Sequence, residues 1–175
     1  MGDIRVILTA QQIRQRTKEL AEEIKRDLGN RVYCVVILTG AVVFFVDLMR
    51  ELSNLGVSVE FSCLKVSSYI DGKSSGKVSP ELLLKPGEAA GRDILIVEDL
   101  VDTGLTMQNL VEYLRAEGAA SVRSCVLIDK PFRRKVAVEA DYVGFTLGER
   151  FVVGYGMDYN NRYRELPFVG TVTRA

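Results

Sequence analysis

The chain has 175 residues, with 23 basic and 23 acidic side chains and no histidine. That length suits one domain with a substantial core, and the balanced charge argues against a broad nucleic-acid-binding face, leaving at most a local patch. The missing histidine excludes Ser-His and Cys-His nucleophile pairs and any histidine-held metal; acid–base work must fall to Asp, Glu, Lys, Tyr or Cys, and a metal must be held by oxygen, which favours Mg²⁺.

Thr9 to Leu28 reads as a helix. Thr9 and Gln12 have capping-box spacing, Ile13, Leu20, Ile24 and Leu28 share a face with Thr17 between them, and Gly29-Asn30 is a stop signal. Val32 to Leu38 is a continuous apolar run, hence a buried strand, and Thr39-Gly40 turns it into a second helix over Ala41 to Asn54. Strand, tight glycine turn and helix make half of a βαβ unit. Gly56 precedes another strand, Val57 to Val66. Ser67 to Lys77 is rich in Gly, Ser and Lys without hydrophobic period, which is the composition of a surface loop. Val78 to Leu84 can return from it as a strand, and Pro86 to Arg92 is a turn region.

Ile94-Leu95-Ile96-Val97 is a short aliphatic run, β-branched at three of its positions, which fits a parallel strand covered on both faces. Glu98, Asp99 and Asp102 then crowd its carboxyl end, and Thr103-Gly104-Leu105-Thr106 opens a helix running to Glu117. A strand-to-helix turn with capping Asp and Thr would explain one such acid. Three like charges at one sheet edge cost stability unless cations or hydroxyls bind there. That edge is where open α/β sheets bind ligands, and the helix start suits a phosphate. Val122 to Ile128 is a further buried strand, ending at Asp129-Lys130-Pro131. Arg133-Arg134-Lys135 reads as a solvated basic loop rather than a phosphate contact. Tyr142 to Phe145 is a short strand, followed by the segment Glu149 to Tyr159 and by Arg162 and Arg164, whose unassisted reading is surface solvation.

The alternation of strands and helices predicts an α/β fold with a mostly parallel central sheet flanked by helices and joined by right-handed crossovers. The N-terminal helix and the C-terminal segment fit that alternation poorly, and the expected small lobe draws on about residues 1–15 and 150–175. No apolar run reaches the roughly 18 residues of a membrane span, and the N-terminus lacks a signal-peptide core. Cys34, Cys63 and Cys125 are widely spaced within apolar runs and read as free thiols. The expectation is a cytoplasmic protein.

The run Val97-Glu98-Asp99-Leu100-Val101-Asp102-Thr103-Gly104-Leu105-Thr106 resembles the phosphoribosyl-diphosphate (PRPP) motif of the type I phosphoribosyltransferases, and Phe151 to Asp158 resembles the base-recognition segment of their 6-oxopurine branch. The resemblance spans about Ile13 to Leu166. It implies transfer of a phosphoribosyl group from PRPP to hypoxanthine or guanine in purine salvage, with Mg²⁺ as cofactor. It assigns Asp102 as the proton acceptor beside the purine. Asp102 to Thr106 become the 5-phosphate loop, and Glu98 and Asp99 ribose or Mg²⁺ ligands. Leu38-Thr39-Gly40 becomes a pyrophosphate loop, often with a cis peptide. Thr39 stands where a basic residue is common, so the backbone role survives without a charge contact. Arg164 is placed near pyrophosphate, Lys130 at the purine O6, Phe151 stacked on the base, Val152 along its edge and Asp158 near a second Mg²⁺. Ser68 and Tyr69 match the pair that begins a closing loop. The small lobe corresponds to the hood of this family, whose members usually form homodimers or homotetramers. Alternatives are a xanthine-preferring enzyme, a PRPP-binding RNA regulator on the same fold, and an inactive structural subunit.

Overall fold

The computed structural model describes residues 4–66, 80, 81, 84, 85 and 87–172. Ser68 and Tyr69 lie outside the described residues. In chain order the elements are β1 (Ile4–Leu8), α1 (Ala10–Leu28), β2 (Arg31–Leu38), α2 (Val42–Asn54), β3 (Ser58–Val66), β4 (Pro80–Glu81), β5 (Asp93–Val101), α3 (Leu105–Ala116), β6 (Ser121–Asp129), β7 (Tyr142–Thr146) and β8 (Val169–Val172).

The central sheet has the order β4-β3-β2-β5-β6-β7. Its five long strands run parallel, and β4 adds antiparallel to β3, within the returning stretch expected after the loop. Alternate residues of each strand feed two separate cores. Val32, Cys34, Val36, Leu95, Val97, Cys125 and Leu127 pack with α1 and α2. Tyr33, Val35, Ile37, Ile94, Ile96 and Val126 pack with Met107, Leu110 and Leu114 of α3. Burial on both faces is why these strands read as unbroken apolar runs. Cys34 and Cys125 are fully buried free thiols, and burial raises the Cys34 pKa to about 12, which makes it a poor nucleophile.

Two expectations need correction. The first helix was assigned to the small lobe, yet α1 belongs to the main body. Its capping box forms as read, Thr9 with Gln12, but Ile13, Leu20, Ala21 and Ile24 are completely buried in the core shared with α2, β2 and β5. Arg16 fastens the same helix to β7, donating to the carbonyls of Val143 and Gly144 at 2.8 and 3.2 Å. Only the residues before α1 stand apart: β1 pairs antiparallel with β8 in a separate two-stranded ribbon. The second correction concerns β5, which runs to Val101 rather than ending at Val97, because Leu100 and Val101 still pair with Ile128 and Asp129 of β6.

That extension shapes the functional edge. The pairing of β2 with β5 ends at Val36 and Val97, while β2 stays paired with β3 to Leu38 and β5 with β6 to Val101. The chain leaves β2 in one direction across the sheet and β5 in the other. This is the topological switch point of an open α/β sheet, where a crevice forms at the strands' carboxyl ends. Among the described residues, no helix is long and apolar enough to cross a membrane.

Because Ile24 is fully buried between α1 and the sheet, Ile24→Ala should destabilise the whole domain by roughly 2–5 kcal/mol, in one cooperative transition in urea. A mutant that loses only a minor, separate transition would show instead that α1 is an appendage.

Candidate active site

Leu38 to Gly40 leave β2 through a cis peptide between Leu38 and Thr39, as the resemblance implied for a pyrophosphate loop. Gly40 is required by proximity: a Cβ there would collide with the Asp99 carboxylate. A second glycine closes on the same point. Gly156 has φ of +98°, and a Cβ on it would strike the backbone carbonyl of Gly40. The loop after β2 therefore packs directly against the Asp99 carboxylate of β5 on one side and the backbone of the C-terminal segment on the other.

The acids of β5 line this crevice. Glu98 is buried, and burial first, then the Asp99 charge, raises its carboxyl to about 8, with Arg134 opposing. Asp99 is raised to about 6, again chiefly by burial, with backbone hydrogen bonds and Arg164 opposing and Asp158 adding to the rise. Among the described residues no three acids or thiols converge on one point. The acids thus form no closed metal cage; Mg²⁺, which commonly arrives bound to substrate phosphates, needs only one or two carboxylate contacts.

Asp102 lies just past β5. Its Oδ1 is buried without a hydrogen-bond donor, although the Arg133 guanidinium stands 3.1 Å away as an ion pair outside hydrogen-bond geometry. Thr103 and Gly104 follow, and α3 begins at Leu105. The first intrahelical bond is Gln108 N to Gly104 O at 2.9 Å, so the amides of Leu105, Thr106 and Met107 have no acceptor within the helix. Leu105 N reaches only the Thr103 hydroxyl, at 3.4 Å. Free amides and two threonine hydroxyls at a helix start form an anion-binding geometry.

The segment after β6 is far more involved than its sequence suggested. Lys130 is only 3% exposed; its backbone N–H donates to Val101 O at 3.0 Å, and its ammonium donates to Arg150 O at 2.7 Å. Burial lowers its pKa, with Asp102 opposing. Of the run expected to be a solvated loop, Arg133 and Lys135 are exposed, and Arg134 is the exception. Arg133 pairs with Asp102, Lys135 N donates to Thr103 O at 2.9 Å, and Arg134 is buried among backbone carbonyls. A run of three cations has the pattern of a solvated loop, and nothing in it signals that Asp129, five residues earlier, would take Arg134 as a partner.

Lys130 also ties this segment to the stretch from Arg150 to Asp158. Phe151, next to Arg150, is 56% exposed and makes an edge contact with Tyr159, ring centres 5.6 Å apart. Val152 is buried in the core, leaving backbone rather than side chain for recognition. Asp158 is engaged on both oxygens, by Arg164 at 2.6 Å and by Asn161 N at 2.7 Å. Arg164 also donates to Gly156 O at 2.6 Å, which sets its charge beside the glycine contact over Gly40. Tyr155, whose hydroxyl donates to Asp47 Oδ2 of α2 at 2.6 Å, anchors the turn to the body. Apart from Ser68 and Tyr69, every candidate site residue thus lies on one sheet edge or on the segments packed against it.

The raised carboxyls carry a stability signature. Between the unfolded value near 4.5 and about 8, folded Glu98 holds more proton than the unfolded chain, so stability falls as pH rises through that window; Asp99 acts in the same sense up to about 6. In metal-free buffer, Glu98→Gln should melt higher than the parent at pH 8, with the gap closing towards pH 4. Parallel pH profiles for the two proteins would refute the assignment.

A family model described as a phosphoribosyl transferase domain matches residues 4–160. The chain is 42% identical over 179 aligned residues to the hypoxanthine-guanine phosphoribosyltransferase of Mycobacterium tuberculosis strain H37Rv, covering 98% of this chain and 87% of the relative. It is 38% identical over 175 residues to that of Bacillus subtilis strain 168, covering 98% and 94%. Among solved structures, it is similar to the hypoxanthine phosphoribosyl transferase of Trypanosoma cruzi, with a TM-score of 0.90 at 36% identity over 97% of this chain and 91% of the other. The chain belongs to the phosphoribosyl transferase domain family.

Proposed function

We propose that this chain is a purine-salvage enzyme that transfers the 5-phosphoribosyl group of PRPP to hypoxanthine or guanine, giving the nucleoside monophosphate and pyrophosphate. The observation that carries the proposal is the convergence of two halves on one crevice. Leu38–Gly40 closes against Asp99, and the Asp102 loop joins through Lys130 to Arg150 and Phe151. The relatives named hypoxanthine-guanine phosphoribosyltransferase support the choice of base.

The chemistry distributes over the residues as follows. The departing pyrophosphate is held by the backbone of Leu38, Thr39 and Gly40, with Arg164 supplying charge and Thr39 none. The 5-phosphate sits on the amides and hydroxyls of Thr103 to Thr106 at the start of α3. Glu98 and Asp99 take the ribose hydroxyls, directly or through Mg²⁺. Glu98, Asp99 and Asp158 are the residues that would hold Mg²⁺, which when bound would supply positive charge to the departing diphosphate; Asp158 is paired with Arg164. On the other side Lys130 donates to the purine O6, Phe151 stacks on the ring, and backbone groups of Val152 meet its edge. The incoming base must lose a proton, and Asp102 accepts it. Its Oδ1, without a hydrogen-bond donor, has the lone pair this requires, and no histidine exists to take the role. The proposal includes a single catalytic domain over residues 1–175, its hood drawn from the terminal segments, and a homodimer or homotetramer as the working form.

Pyrophosphate release in single turnover tests the proton acceptor. Asp102→Asn should slow it by roughly 10²- to 10⁴-fold, the usual worth of a general base, while PRPP affinity changes little. An unchanged rate would remove Asp102 from the role.

A further inference from the structure

All three guanidinium nitrogens of Arg134 are engaged, and no step assigned above uses this cation. Its side chain is only 13% exposed. One terminal nitrogen donates to two carbonyls at once, Val101 O at 2.9 Å and Asp102 O at 2.8 Å. The other pairs with the Asp129 carboxylate, and Nε donates to Val138 O at 3.1 Å. Its aliphatic stem lies against Gly104: a Cβ there would stand 3.1 Å from Arg134 Cδ. One planar group thus joins the end of β6, the end of β5 with the turn into α3, and the segment leading to β7.

The two places it joins carry different substrates in the function proposed above, on which this inference rests. Asp129 precedes Lys130, the donor to the base, and the Asp102 carbonyl belongs to the residue that accepts the proton and begins the 5-phosphate loop. We propose that Arg134 is a positioning residue that sets the distance and angle between the base-reading end of β6 and the Asp102 loop, so that the purine and the ribose C1 meet in attack geometry. It touches neither substrate. Arg133 pairs with the Asp102 carboxylate from an exposed position, while Arg134 donates to the Asp102 backbone carbonyl and so fixes where the residue leaves β5. The task needs a guanidinium, because a rigid fork satisfies divergent acceptors, whereas an ammonium is a single point donor that cannot reach all four. Displacements of about 1 Å in such an arrangement cost on the order of 10²-fold in rate.

The test compares Arg134→Lys with the parent enzyme in thermal melting, in PRPP binding by calorimetry, and in kcat and both KM values. Lysine keeps the charge beside Asp129. The expected result is a somewhat lowered melting temperature, because carbonyls lose their donor, nearly unchanged PRPP binding, and kcat at 15 °C reduced about 10- to 100-fold. A purely structural role would be shown by a lowered melting temperature with kcat at 15 °C unchanged, and that outcome overturns the proposal, as does a variant indistinguishable from the parent. If Arg134→Lys does not fold, Asp129→Asn, which loosens the same guanidinium but leaves its carbonyl bonds, should lower kcat several-fold; an unaltered kcat there also overturns it. A parent enzyme that releases no pyrophosphate with any purine would instead refute the function on which this inference rests.

Discussion

Beyond Val97, β5 carries two adjacent carboxylates into a gap that β2 no longer fills. Glu98 and Asp99 are withdrawn from water side by side, and both are pushed towards protonation by that burial. A sheet assembled for stability alone would place apolar residues there. The cost is tolerable in a protein whose ligand brings what the site lacks, namely hydroxyls and a divalent cation. The divergence of β2 from β5 makes the opening, the glycine contacts at Gly40 and Gly156 let three loops reach it, and the carboxylates give it chemical direction.

The region around this opening is organised by backbone carbonyls as much as by charges. Lys130 N and Arg134 both donate to Val101 O, Arg134 also to Asp102 O, and Lys135 N to Thr103 O. The β5 loop is therefore pinned from the β6 side, carbonyl by carbonyl, along the turn that precedes α3. Lys130 extends the connection to Arg150, and Arg164 closes it from the C-terminal side through Gly156 and Asp158. Two halves that are distant in sequence become one rigid frame, as attack geometry demands.

Much of this is legible in the amino-acid sequence. The unbroken apolar runs of β2, β5 and β6 announce strands covered on both faces, and Thr9 with Gln12 announces the start of α1. The acids after Val97 call for cations or hydroxyls at the sheet edge, and the helix opening at Leu105 has the geometry to take an anion. What escaped has physical reasons. Helix periodicity reports that α1 has a buried face but not which body that face meets, so α1 was misplaced in the hood. The end of β5 was read too early because Glu98 and Asp99 are polar, while its pairing with β6 depends on backbone alone. Arg134 was lost among Arg133 and Lys135 because a buried arginine satisfied by carbonyls leaves no side-chain pattern.

The central claim is that the crevice presents a 6-oxopurine to PRPP, with Lys130 reading O6. The most direct measurement is kcat/KM for hypoxanthine, guanine, xanthine, adenine and uracil with PRPP and Mg²⁺, in the parent and in Lys130→Ala. A site built around a buried donor rejects an analogue lacking the acceptor by up to on the order of 10⁴-fold. The account predicts strong preference for hypoxanthine and guanine over adenine in the parent, collapsing in Lys130→Ala mainly through purine KM. Efficient use of adenine by the parent, or a preference that survives loss of Lys130, would contradict it.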